Sequence, residues 1–179
     1  LLCSTEYPNL ELVVVDNASS DGTREYLKAI KDPRVVVALN DVNSGFASAN
    51  NQGVSLSSGE YICLLNNDTV MPTGSLSQMC RYLSVDSDLG LVGPVTNAIG
   101  NEARIKVKYS NLSSLADWSK YIRQTRWREL SEISMLAFFC VTFTRETWSR
   151  VGRLDETFGL GMYEDDDYNR RVRNLGMKV

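Results

Sequence analysis

Leu10-Glu11-Leu12-Val13-Val14-Val15-Asp16-Asn17-Ala18-Ser19-Ser20-Asp21-Gly22-Thr23 is the stretch that decides the fold. Its first part, residues 10–15, is a short apolar run rich in β-branched side chains. Pro8 bounds it upstream and polar turn residues bound it downstream, so it reads as a buried strand. Ser20 or Asp21 then stands where a helix N-cap belongs. Tyr26, Leu27 and Ile30 make one face of the helix that follows, and Asp32-Pro33 breaks it.

The same alternation runs outward along the chain. Residues 35–39 read as a second buried strand and residues 40–45 as a loop. Phe46, Ala49, Gly53 and Leu56 recur at steps of three and four, which is a helix, and Ser57-Ser58-Gly59 ends it. Residues 61–65 are a third strand, followed by the polar turn Asn66-Asn67-Asp68. Leu76, Met79, Cys80 and Leu83 form another helical face, and residues 89–95 a fourth strand. This order specifies an α/β fold, a mostly parallel sheet with helices on both faces. Ligands bind such sheets at the carboxyl ends of the strands, the edge on which Asp16 and Asp68 each directly follow a strand.

After Pro94 the pattern becomes mixed. Residues 104–109 alternate like an edge strand. Leu115, Trp118 and Ile122 predict an amphipathic helix, with Lys120, Arg123, Arg126 and Arg128 nearby. Residues 135–143 are a continuous apolar run and read as a central strand. Trp148 and Val151 belong to a short helix that Gly152 ends. Residues 154–164 read as a glycine-rich loop, and residues 165–175 as a last helix closed by Gly176.

The composition excludes several classes of function. The 179 residues carry 43% hydrophobic and 23% charged side chains, which suits one globular domain with a real core. A formal net charge of -3 leaves no electrostatic footprint for nucleic acid. A phosphorylated substrate would then need local positive charge, and a metal ion is its simplest source. The absence of histidine removes Ser-His-Asp and Cys-His catalysis together with histidine metal sites, so acid-base work falls to carboxylates. Cys3, Cys63, Cys80 and Cys140 fit no zinc pattern and no compact disulfide framework, which points to a reducing compartment. Cys63 and Cys140 lie in apolar runs, where a thiol acts as a small core hydrophobe. No apolar run is long enough to span a membrane. The chain opens on Leu1 and stops at Val179 directly after a helical pattern, so it reads as a fragment cut at both ends.

Three constellations carry chemistry. Asp16 at a strand end can accept hydrogen bonds from a nucleobase or ribose, although a polar β-α turn is the better explanation when it stands alone. Neither a G-x-G-x-x-G fingerprint nor a P-loop accompanies it. Asp68, in a polar turn after a strand, can hold a divalent cation that also binds a diphosphate, because magnesium and manganese favour oxygen ligands with open positions. Glu164-Asp165-Asp166-Asp167 places four like charges side by side. The positive end of a helix favours acids, and Asp166 with Arg170 and Asp167 with Arg171 have i,i+4 spacing. Glu164 and Asp165 are left without such partners, at the mouth of the helix, where a carboxylate can be a general base.

Taken together and in this order, the motifs resemble family 2 glycosyltransferases of the GT-A fold, over nearly the whole chain. Tyr7-Pro8-Asn9-Leu10-Glu11 leading to Asp16 and Gly22-Thr23 is similar to the family's first β-α unit. Asn43-Ser44-Gly45-Phe46-Ala47 and Asn50-Asn51-Gln52-Gly53 are similar to its N-x-G-F-A and N-x-G segment. Gly59-Glu60-Tyr61 through Asn66-Asn67-Asp68-Thr69 resembles the strand that carries its D-x-D-type motif. Gly152, Leu154-Asp155-Glu156, Phe158-Gly159 and Glu164-Asp165-Asp166-Asp167, with Arg171, resemble its acceptor-side loop and E-D motif.

The resemblance implies a Rossmann-like GT-A sheet, mixed toward the C-terminal half. Residues 1–95 would be the nucleotide-sugar half and residues 96–179 the acceptor half of a single catalytic domain. It implies inverting transfer from a nucleoside-diphosphate sugar to a glycan or glycolipid hydroxyl, in surface-glycan or polysaccharide synthesis. Asp16 and Asn17 would contact the nucleotide. Asn43 and Gly45 would line the donor, with Gly45 letting the backbone pass close to it. Asn67 and Asp68 would form the metal-diphosphate element, with Asp68 the ligand of a Mn or Mg ion. Asp165 would be the general base, with Glu164 beside it. It also implies cytoplasmic action at the membrane face, by peripheral association.

Two departures stand out. The family's opening strand, a V-x-I-V-I-P-x-Y-N type run, is missing, and Asn66 replaces the first aspartate of D-x-D. Two other classes share some of these features: a sugar nucleotidyltransferase and a non-catalytic nucleotide-binding α/β module. The first needs a glycine-rich N-terminal loop and a lysine for the triphosphate, which are absent. The second has no need of the late acidic cluster or of the long segment 104–128.

Overall fold

A computed structural model describes residues 7–127 and 129–179. Cys3 and Arg128 lie outside them. The first β-α unit forms as its pattern demands: β1 is Leu12–Asn17 and α1 is Thr23–Ala29. The helix starts at Gly22 with no side-chain cap. Asp21 instead accepts from the Thr23 amide and hydroxyl, an Asx turn in place of the expected Ser20 or Asp21 cap.

β2 (Val35–Asn40) pairs in parallel with β1, Leu12 opposite Val35 through Asn17 opposite Asn40. α2 (Gly45–Leu56) and β3 (Tyr61–Leu65) follow, then α3 (Ser75–Val85) and α4 (Leu112–Arg126). β4 (Cys140–Thr144) runs antiparallel to β3, which is the mixed character expected of the C-terminal half. α5 (Arg145–Val151), a 3-10 turn (Glu156–Phe158) and α6 (Glu164–Asn174) close the chain. No helix among the described residues is long and apolar enough to cross a membrane.

Among the described residues the strands form two separate pairs, β1-β2 and β3-β4. β4 is central in its own sheet. Val92 exchanges both backbone hydrogen bonds with Thr142, on the edge of β4 away from β3. α2 bridges the two pairs. A side chain at Gly53 would touch Val15 of β1, while Ala47 and Val54 share an apolar cluster with Ile62 and Leu64 of β3. Glu11 adds a polar tie by accepting from the Ser58 amide at 2.8 Å.

The core lies on the β3-β4 side. Phe143, Trp148 and Tyr168 stack at 5.6–6.1 Å, and Phe138 meets Tyr168 edge-on. Each such ring pair contributes about 0.5–1.5 kcal/mol beyond its burial. Burial pushes the Tyr168 hydroxyl's pKa up, against the opposing effect of Arg171. A second cluster gathers Met79, Leu83, Val92 and Cys140 under α3. Cys140 is fully buried and burial pushes the Cys80 thiol up to about 11, so both act as core hydrophobes, as Cys140's apolar run foretold. By contrast, β1 and β2 were expected to be buried, yet only Asp16 in them is; the rest are half-buried.

Three other expectations change. The fourth strand, 89–95, shrinks to single bridges at Leu89 and Val92. The edge strand 104–109 keeps one bridge, Thr96 to Arg104, although Arg104, Lys106 and Lys108 face solvent while Ile105, Val107 and Tyr109 are half-buried. The central strand begins only at Cys140 rather than at Met135. The reason is local: the side chain of Asn169 takes both backbone groups of Leu136, accepting from its amide at 3.0 Å and donating to its carbonyl at 2.9 Å.

Candidate active site

The end of β1 is built from amides around one carboxylate. Asp16 is buried; its Oδ1 accepts from the Ser19 amide at 3.3 Å, and its Oδ2 is buried without a partner. A carboxylate oxygen in that state is costly unless a donor arrives. Ala18 beside it has a left-handed backbone, with φ 70°.

Asn17 is already engaged within the chain. Its Nδ2 donates to Asn43 Oδ1 and to the Gly45 carbonyl, and its Oδ1 accepts from the Ser44 amide and from Asn40. Asn40 and Gln52 complete the network as a reciprocal amide pair at 2.9 and 3.0 Å. Asn43 Oδ1 also accepts from the Gly45 amide. Together these bonds fix the start of α2 against the ends of β1 and β2.

Gly45 has φ 85°, and a Cβ there would lie 2.1 Å from the Gly159 carbonyl oxygen. The close backbone approach at Gly45 is therefore to another part of this chain. The Phe46 amide donates to the Leu160 carbonyl at 3.1 Å. Further along α2, Asn51 donates to the Leu154 carbonyl and to Glu156, and accepts from the Leu154 amide. The loop before α6 thus rests on α2, and its far end delivers the acids.

α6 begins at a tight corner. Met162 and Tyr163 have φ 94° and 75°, an uncommon conformation for side chains of this size. Behind them Glu164 is buried, with Oε2 lacking a partner. Asp165 is half-buried and its Oδ1 accepts from the Asp166 amide at 2.9 Å. Asp167 pairs with Arg171 at 2.8 Å, as the spacing foretold. The expected pairing of Asp166 with Arg170 does not form among the described residues. Both side chains are exposed and line a cavity of about 440 Å³, with Phe158, Tyr163 and Arg173.

The turn Asn66-Asn67-Asp68 joins this region by a second route. The Asn66 amide donates to the Phe139 carbonyl at 2.9 Å, and Asn169, which holds Leu136, also donates to the Asp165 carbonyl. Asn67 and Asp68 are exposed, and the Asp68 carboxylate has no hydrogen-bond or ion partner among the described residues. No group of three or more metal-binding side chains exists there either. A lone, open carboxylate cannot cage an ion, but magnesium and manganese sites often use one or two carboxylates and let substrate phosphates and water complete the shell. The donor set therefore fits an ion shared with a diphosphate.

Asn169 and Leu160 escaped the sequence reading, and Asn51, Glu156 and Gly159 entered it only as members of motifs, without the bonds that join them. Their long-range partners are 33 to 114 residues away in the chain. The available signal was an amide at an inward position of a helix, where apolar side chains are the rule.

A strand-end carboxylate, an open aspartate turn and a helix-start acid pair lie on one α/β scaffold of parallel and antiparallel strand pairs, and that fold is the GT-A fold of glycosyltransferases. The profile of Glycosyl transferase family 2 matches residues 1–151, and the chain belongs to that family. It is 35% identical over 74 residues to a putative colanic acid biosynthesis glycosyl transferase of Escherichia coli K12, covering 40% of this chain and 26% of that protein. It is 30% identical over 113 residues to a poly-beta-1,6-N-acetyl-D-glucosamine synthase of Staphylococcus epidermidis, covering 63% of this chain and 26% of that protein. Among solved structures it resembles a mannosyltransferase from Pyrobaculum calidifontis in complex with GDP-Man and Mn2+, with a TM-score of 0.69 and 22% identity over 99% of this chain and 47% of the other. The chain spans about a quarter to a third of the first curated relatives it matches.

Proposed function

We propose that the chain is the catalytic region of an inverting, metal-assisted glycosyltransferase. It moves a sugar from a nucleoside-diphosphate sugar to a glycan or glycolipid hydroxyl, in surface-glycan or polysaccharide synthesis at the cytoplasmic membrane face. The observation that carries this reading is the pair of buried carboxylates with a free oxygen, Asp16 and Glu164, joined through the contact of Gly45 with Gly159. The names of the relatives support the substrate class, and the complex of the structural neighbour supports nucleotide sugar and metal.

In this reading residues 1–95 hold the donor and residues 96–179 face the acceptor. Asp16 accepts from the nucleotide, while Asn17, Asn43 and Gly45 shape the donor floor through their shared hydrogen bonds. Asp68, with Asn67 beside it, holds a divalent cation, which when bound offsets the charge developing on the departing diphosphate. Asp165 takes the proton of the acceptor hydroxyl: it is half-buried at the helix mouth and matches the family's E-D position, whereas Asp166, although also free of an arginine, is fully exposed. Direct displacement by that hydroxyl inverts the anomeric carbon.

Calorimetry with UDP, GDP and dTDP, with and without Mn2+, tests the reading. At least one nucleotide should bind only with the metal present. Asp68→Ala should weaken that binding at least about tenfold with an unchanged melting temperature, since an exposed turn residue carries little packing. Nucleotide affinity that ignores both chelator and mutation would remove Asp68 from the site. No nucleotide binding at all would favour a non-catalytic module.

A further inference from the structure

We propose that Asn51 is a positioning residue: it sets the path of loop 154–163 and thereby the placement of the acids at the start of α6. Asn51 lies on the inward face of α2 and is 1% exposed. Its amide makes three bonds, all to that loop. Nδ2 donates to the Leu154 carbonyl at 2.9 Å and to Glu156 Oε1 at 2.8 Å, and Oδ1 accepts from the Leu154 amide at 2.9 Å. One side chain thus satisfies both backbone groups of a residue that is itself 2% exposed, the service a neighbouring strand would otherwise give.

An asparagine is a poor choice for this position on packing grounds. It favours helix less than leucine or alanine does, and a buried amide costs free energy unless its bonds are made. Its neighbours on the same face, Ala47 and Val54, are core residues. Bonding to the loop is what distinguishes Asn51 from them.

The loop has few other fixed points, and the nearest also lie on α2. Gly159 lies against Gly45, and the Leu160 carbonyl accepts from the Phe46 amide. Phe46 and Asn51 are five residues apart, about 7.5 Å along a helix. The loop therefore runs back along α2 from its middle to its start, then turns through Met162 and Tyr163 into α6. The start of α2 is in turn fixed to β1 and β2 through Asn17, Asn43, Asn40 and Gln52. α2 acts as a ruler between the two sides of the site, and Asn51 is its far pin.

Hydrogen exchange and kinetics on the full chain test this, the kinetic arm resting on the transfer reading above. In Asn51→Ala, amide exchange in residues 154–163 should rise about tenfold while β3, β4 and α3 keep their protection. Nucleotide release from UDP-glucose and GDP-mannose with Mn2+ should fall at least about tenfold, with nucleotide affinity changed less than about twofold. Asn51→Asp keeps the acceptor for the Leu154 amide but sets a carboxylate against Glu156. Adding Glu156→Gln restores a donor there and should recover part of both the protection and the rate.

Unchanged loop exchange in Asn51→Ala overturns the proposal. So does an even loss of protection across the chain, which would mark an ordinary packing residue. If Asn51→Ala does not fold, the comparison of Asn51→Asp with and without Glu156→Gln decides, and no recovery on adding Glu156→Gln overturns it. A wild-type chain that neither binds nor releases nucleotide counts against the transfer reading, while the exchange result still decides the role of Asn51.

Discussion

Four adjacent acids begin α6, and each meets a different environment. Asp167 is neutralised by Arg171, which also donates to the Val151 carbonyl and lies over the Tyr168 ring. Asp166 faces solvent and the cavity beside Phe158. Glu164 is buried, and Asp165 stands between buried and free. Asp165→Asn keeps the shape and loses the basicity, so kcat should fall roughly a hundredfold or more while donor binding survives. Glu164→Gln should act mainly on acceptor affinity. Near-normal turnover in Asp165→Asn alongside a dead Glu164→Gln would move the base to Glu164. The acids were legible in the sequence because like charges in a row need an explanation. Asn51 showed only as a member of a motif, and its role did not, because its partner is a loop more than a hundred residues further along.

At the scale of elements, the first half of the chain was the more legible. β1, α1, β2, α2 and β3 fall where apolar periodicity and turn residues put them; the first four pair or pack with near neighbours in sequence, while β3 is marked by its own apolar run although its partner β4 lies far along the chain. The second half was less so. A continuous apolar run says that residues 135–143 are buried, but not whether their backbone joins a ladder. Here a side chain on α6 decided it. Asn169 is 1% exposed and bonds to both backbone groups of Leu136 and to the Asp165 carbonyl. Asn169→Leu would leave the Leu136 amide and carbonyl without their partners, so urea unfolding should show a loss of about 2–4 kcal/mol. A loss under about 0.5 kcal/mol would mean that the backbone finds other partners and that Asn169 does not hold this segment. Segments 89–95 and 104–109 read as strands for the same reason: an apolar run or an alternation reports which side chains face inward, not which amides are paired.

Across the whole molecule, the two sides of the proposed site are built differently. The proposed acceptor side carries α4, a helix with no buried residue, whose Trp118 stacks on Tyr121 at 5.6 Å and lies under Lys108. Trp127 is held against α3, where its carbonyl accepts from Gln78 and Tyr82 and its ring meets Arg81. Tyr121, 54% exposed, is the most open of these three rings, and we propose that it faces the acceptor sugar. Tyr121→Ala should raise the acceptor KM about three- to tenfold and leave donor affinity as it was. A change in donor affinity alone would contradict an acceptor role for α4. The proposed nucleotide side rests on less. Neither apolar cluster draws a residue from β1 or β2, and the two-stranded sheet they form meets the rest of the molecule chiefly through α2. For the described residues such packing predicts a separate cooperative unit, in which the amides of β1 and β2 should exchange faster than those of β3 and β4. The molecule would thus breathe on the side where Asp16 waits, and an occupant held there would act as the missing part of its core.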